Sequence, residues 1–230
     1  VSCTQANLTS WNPLKEDISR PYKTGNRQQY GENVTGGTER LNYFVSGEWE
    51  TEDRVLTIPE IDDKRLRTEF GDAYGDLPES LFNPSALERL SLRANFGGQL
   101  FESLNFNTRV GYIASTLNLP NNDNNVLGIL PSAMLGNSDG TEEGDYGYGF
   151  FLPSEVNWQD VTQDVDRFTG SGAFDWQPLD WLRGRVTVGL DQVTSTDIQN
   201  VPREQLYFGA TLPLGTRDVN TARISNVTFD

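Results

Sequence analysis

The acidic clusters Asp62–Asp63, Glu142–Glu143 and Asp145 have the composition of a glycosidase acid/base pair or of a calcium site. Their spacing fits neither. None follows the alternating ligand positions of a calcium loop, and adjacent carboxylates on irregular chain have no fixed separation with which to bracket a bond or a water. They are expected as solvated loop charges. The 230 residues contain no His, so the usual general base of a hydrolytic triad and the commonest zinc ligand are both missing. No catalytic residue, metal site or cofactor is expected, and the chain does not read as an enzyme.

Recognition of a polar ligand is better provided for. The run Asn121, Asn122, Asp123, Asn124, Asn125 offers amides and a carboxylate to such a ligand, or stacks as Asx turns. The aromatics Tyr146, Tyr148, Phe150, Phe151 and Trp158 either stack on sugar or aromatic rings or pack their loop onto itself. The ligand-binding candidates are therefore Asn121 to Asn125 together with Tyr146, Tyr148 and Trp158. With 33 acidic against 18 basic side chains, a formal charge of −15 repels phosphate backbones and anionic headgroups, so nucleic acid is not an expected partner. Cys3, the one cysteine, has no partner within the chain and says little about redox compartment.

The elements that carry these residues read as strands. Gly and Asn make up almost a fifth of the chain, a composition hostile to long helices and typical of turns. Apolar and polar residues alternate without error over residues 90–100, and the pattern restarts at Leu104, Phe106, Thr108, Val110, Tyr112 and Ala114. The same strand, turn, strand unit recurs around Thr38 and around Pro178, and residues 223–229 begin a seventh strand. Hairpins are expected at about 27–51, 87–117 and 164–194, with tight turns near Thr38, Glu102 and Pro178. Leu92, Phe96, Phe106, Val110, Val186, Val188 and Leu190 should share one convex face. Arg93, Asn95, Asn107, Arg109 and Arg185 should share the concave one, and Arg183 the same polar side, each arginine paired with acids along a wet lumen.

Between the hairpins lie long polar connections, 52–86, 118–163 and 195–221. Soluble sandwiches keep loops short, whereas outer-membrane barrels place short turns on one rim and long loops on the other. A tilted strand climbs roughly 2.3 Å per residue along the bilayer normal, so about ten residues cross the apolar band of a barrel. Trp176 and Trp181 flank one turn while Trp49 and Tyr112 sit farther along their strands, the positions of two aromatic girdles. No apolar run is long enough for a membrane helix, since residues 126–135 are broken by Gly128, Pro131 and Ser132. The start at Val1, with neither Met nor signal peptide, reads as an internal piece of a longer chain.

Three strings carry a family resemblance. RQQYGENVTGGTERLNYFVSGEWETED (27–53), LERLSLRANFGGQLFESLNFNTRVGYIASTLNLPNNDNN (87–125) and DVDRFTGSGAFDWQPLDWLRGRVTVGLD (164–191) resemble, in order, barrel hairpins of TonB-dependent outer-membrane receptors of the SusC/RagA type. The resemblance implies an all-β, antiparallel up-and-down meander of six to seven strands, a segment of a large transmembrane barrel of about 22 strands. It also implies TonB as a partner through an N-terminal region, a SusD-like surface lipoprotein as a lid, lipid against the apolar face, and an outer-membrane location in a Gram-negative-type bacterium. No feature of a plug domain or TonB box is read in these residues. One position departs from the pattern: Glu32 lies between Tyr30 and Val34 on the face read as apolar, so a bulge or an inverted strand is expected there.

The function so implied is import of polar nutrients such as oligosaccharides or peptides. Two alternatives stand beside it. A passive porin shares the barrel without a plug, and a secreted all-β carbohydrate-binding or adhesin module needs a second layer to bury the apolar strand face.

Overall fold

The computed structural model describes residues 11–53, 55–120, 128–136, 146–203 and 214–230. Alternating sequence becomes seven strands: β1 (Asn26–Gly37), β2 (Leu41–Asp53), β3 (Ala86–Phe101), β4 (Leu104–Leu119), β5 (Asp160–Leu179), β6 (Leu182–Val201) and β7 (Thr216–Phe229). Each is antiparallel to its predecessor, in one sheet ordered as the chain runs. The fold is the all-β meander that the alternation predicts.

Register fixes the two faces. The rung Val45, Ala94, Val110, Gly170, Leu190, Val227 crosses six strands, and the rung Tyr43, Phe96, Thr108, Gly172, Val188, Phe229 runs beside it. Phe106 pairs with Phe174 and Phe174 with Val186, so all seven apolar residues singled out from the sequence share one face. Arg93, Asn95, Asn107, Arg109 and Arg185 share the other. No second layer covers the apolar face among the described residues: Val34 is 60% exposed, Val227 74% and Phe229 77%. The burial that a soluble sandwich requires is therefore not met.

Glu32 corrects the sequence reading. The β1–β2 register runs unbroken from Asn26 opposite Asp53 to Gly37 opposite Asn42, so β1 has neither bulge nor inversion. Glu32 lies opposite Gly47, on the apolar face. With no Cβ opposite, the glycine leaves the flexible carboxylate stem space to turn toward the polar end of the strand.

The turns are as short as expected. Thr38 closes the first: its amide donates to Leu41 O, while its hydroxyl accepts from the Leu41 amide at 3.2 Å. A side chain at Gly37 would put its Cβ 2.4 Å from Leu41 O, so only glycine permits this closure. Glu102 and Ser103 make the second. The third centres on Asp180 and Trp181 rather than Pro178, which sits in the irregularity between Trp176 and Leu179, where a missing N–H breaks no ladder bond.

The connections at the opposite rim differ most from the sequence reading of long polar loops. The first contains α1 (Glu60–Phe70), a 3₁₀ turn (Gly71–Asp76) and α2 (Glu79–Phe82); the second contains α3 (Ile129–Met134) and α4 (Pro153–Asn157). Helix α1 is mostly polar and holds its shape by local charge. Glu60, Asp62 and Asp63 occupy the first turn and Arg67 the last, and Glu60–Lys64, Asp63–Arg67 and Arg65–Glu69 are ion pairs one turn apart. Among the described residues two small cores lie here, one around Ile129, Tyr148, Leu152 and Val156, the other around Ile58, Leu66 and Leu81. Strands β6 and β7 also pair beyond their apolar stretch, Val201 opposite Thr216, so their connection is shorter than 195–221.

Candidate functional site

The folded connections form a cap on one rim of the sheet, and its keystone is a residue read from sequence as a solvated charge. Asp62 is fully buried. Helical geometry turns successive side chains about 100° apart, so Asp62 faces inward while its neighbour Asp63, half-buried, turns toward Arg67 and Tyr74. The Asp62 carboxylate accepts from the Ser154 amide and from the Ser154 hydroxyl, each at 2.6 Å, and from Arg65 Nη2 at 3.2 Å. It thereby caps the N-terminus of α4 from a different connection, 92 residues away in sequence. Burial pushes the Asp62 carboxyl above its ordinary value, with the Ser154 hydrogen bonds and the Arg65 charge opposing. For Asp63, burial also works upward, but hydrogen bonds from Arg67 and Tyr74 prevail and hold it below that value.

Of the sequence-predicted ligand residues, Asn121, Asn122, Asp123, Asn124 and Asn125 lie outside the described residues, as do Glu142, Glu143, Asp145 and Cys3. Tyr148 is 1% exposed in the first core, and its hydroxyl donates to Ser19 O at 2.7 Å. Burial raises that phenol further above its usual value. Trp158 packs on Phe70 with ring centroids 6.0 Å apart. Both take the packing alternative. Tyr146 differs: its φ of 49° is unusual for a side chain with a Cβ, its carbonyl accepts from Trp11 Nε1, and it borders an open groove of about 520 Å³ with Ile18, Ile61 and Lys64. It also packs against the first core, and it is the one of the three described aromatics that borders this groove.

Below the cap, aromatic side chains mark a level on the apolar face. Tyr30 stacks on Trp49 with centroids 6.1 Å apart. Tyr30 donates to Gln28, Trp49 Nε1 to Glu88 at 3.2 Å and Tyr112 to Asp166 at 2.6 Å. Each acceptor lies two residues closer to the cap on the same face, so the rings cover the apolar band while their polar tips aim the same way. Trp176 and Trp181 mark the other level at the turn rim, both largely exposed.

The polar face carries the second candidate surface. Glu50, 2% exposed, takes both Arg27 and Arg89; Arg167 grips both oxygens of Asp191; Arg185 meets Asp175 at 3.4 Å. Grooves of about 480 Å³ and 580 Å³ lie over Gly111, bordered by Arg93 and by hydroxyl-bearing residues of β3 and β5. Sequence alternation places the arginines on this face but cannot show which of them find an acid.

No protein-family model matches the chain, and no curated protein sequence matches it. Among solved structures it is similar to a chain of the RagAB peptide transporter, with a TM-score of 0.64 and 13% identity over 96% of this chain. It is also similar to a chain of the RagAB peptide importer in its closed-closed state, with a TM-score of 0.63 and 14% identity over 97% of this chain. In both cases this chain spans 23% of the length it matches. At that identity the likeness is one of fold: the meander has the form of a segment of the chains it matches.

Proposed function

We propose that these strands form part of the wall of an outer-membrane β-barrel of the SusC/RagA type, a TonB-dependent receptor that imports polar nutrients such as oligosaccharides or peptides. The observation that carries the reading is the uncovered apolar band between two aromatic levels, with tight turns at one rim and a folded cap at the other. Lipid takes the place of the missing second layer. The cap faces the cell exterior beneath a SusD-like lipoprotein, Tyr146 and the Asn121 to Asn125 run contribute to ligand selection there, and the tight turns face the periplasm.

Labelling of intact cells tests the orientation. With Cys3 replaced by Ser, a membrane-impermeant maleimide should modify a cysteine placed at Asp72 in the cap and spare one placed at Glu102. The reverse pattern would turn the assignment over. Deleting the gene's TonB partner should abolish uptake while leaving the barrel inserted, whereas undiminished uptake would favour the passive porin.

A further inference from the structure

We propose that Arg93 and Arg109 form an oxyanion subsite on the polar face, taking the carboxylate of a small solute in the groove over Gly111. Register sets Arg93 opposite Gly111 and Arg109 opposite Asn95, on adjacent strands and the same face. Such diagonal neighbours stand roughly 7–8 Å apart at the backbone, within reach of one another's long side chains and of a shared anion. Neither guanidinium makes an ion pair or hydrogen bond among the described residues, whereas Arg27, Arg89, Arg167 and Arg185 on the same face each meet a carboxylate. In a chain with fifteen more acidic than basic side chains, two adjacent arginines without an acid are the exception. Two acids stand nearby: Glu48, one strand over in the adjoining groove, meets Arg89 at 3.9 Å, and Asp191, on the same rung as Arg93 three strands away, has both oxygens held by Arg167.

The surroundings supply donors and space. Thr169 lies opposite Gly111 and Ser171 opposite Arg109, so two hydroxyls and the Asn95 amide share the groove with the two forks, and no carboxylate borders it. A Cβ on Gly111 would come 2.7 Å from Thr169 Oγ1, so glycine here keeps both the hydroxyl and the opening. The groove's volume of about 480 Å³ suits a small solute. Planar guanidinium forks match a carboxylate edge to edge, and two of them relieve their mutual repulsion by sharing it. Arg183, also on this side but near a turn, borders no such groove, and its neighbouring cation Arg185 is already paired with Asp175, so it serves as the control.

The proposal rests on the barrel reading in that this face must line a wet lumen, so binding rather than uptake is measured. The full protein in detergent would be titrated calorimetrically with succinate and with its neutral diamide, succinamide. Succinate should bind, weaken with added salt and weaken about tenfold or more in Arg93→Gln and Arg109→Gln. It should persist in Arg183→Gln and partly in the Arg93→Lys/Arg109→Lys protein, and succinamide should not bind. Circular dichroism and gel heat-modifiability would establish that each variant retains its barrel. Equal succinate binding in wild type and the double glutamine variant would overturn the subsite. So would absence of succinate binding in wild type together with a lower melting temperature in the variants, since a carboxylate of the protein itself would then hold the pair. Failure of the wild-type protein to support nutrient uptake, with its succinate binding intact, would count against the transport reading and leave this one standing.

Discussion

Two adjacent aspartates, one fully buried and one half-buried, show how far the role of a side chain is set by the element under it. Asp62→Ala removes the acceptor of the Ser154 amide, the Ser154 hydroxyl and Arg65, and leaving such groups unpaired costs about 1–3 kcal/mol. Hydrogen exchange across residues 60–70 and 153–157 should read that loss without a matching change in the strands. The pH dependence has an unusual sign. Because burial raises Asp62 in the folded cap, the folded state binds its proton more tightly than the unfolded chain does. The Asp62 contribution to cap stability should therefore be fully present below the ordinary aspartate range and be lost as pH rises from there through the raised folded value, opposite in sign to that of Asp63. Asp62→Asn should flatten that decline in exchange measured from about pH 4 to about pH 7; an unaltered slope would assign it to another group. Tyr148 and Tyr146 separate in the same way. Tyr148→Ala opens a hole in the cap core and should cost about 3–5 kcal/mol by analogy with other large-to-small core changes. Tyr146, only partly buried against the same core, should cost less when replaced by Ala and show a further effect in ligand affinity.

At the scale of elements, the hairpins depend on their turns. A methyl at Gly37 meets Leu41 O head-on, so Gly37→Ala should fray the β1–β2 turn, with faster exchange at Thr38 and Leu41 and little change at the Glu102 turn. The strands were legible because one face is apolar and the other polar, which stamps period two on residues such as Leu90 to Leu100. The helices were not, for three physical reasons. Helix α1 is sustained by ion pairs one turn apart more than by a broad apolar stripe. Helices α2, α3 and α4 have four, six and five residues, too few to show a helical period. The far ends of β6 and β7 pair mostly polar to polar, as Thr196 with Thr221, with Ile198 opposite Val219 as the exception, so their hydrophobic signal is weak. The site divides likewise. Sequence placed Arg93 and Arg109 on the polar face and Tyr146 near a rim. It could not distinguish a tyrosine that stacks on a ligand from one, like Tyr148, whose hydroxyl reaches Ser19 from 129 residues away.

For the whole molecule, the uncovered apolar face and the unpaired outer edges of β1 and β7 set its solubility. This chain alone in detergent-free water should associate rather than unfold cooperatively as a monomer, checked by sedimentation alongside thermal melts. In lipid, bromine-labelled acyl chains should quench tryptophan fluorescence at two depths, one for Trp49 and one for Trp176 and Trp181, separated by roughly 20 Å. A single depth would dissolve the two-level picture. The bond between Asp62 and Ser154 has a bearing on time as well as on strength. It joins the connection after β2 to the connection after β4, whereas the hairpins close through neighbouring strands. It can form only once β2, β3, β4 and β5 stand side by side in register. Assembly can then advance hairpin by hairpin along the chain, with cap closure as its final latch. Mutations at Asp62 should hasten opening of the cap and leave the rate of sheet formation untouched.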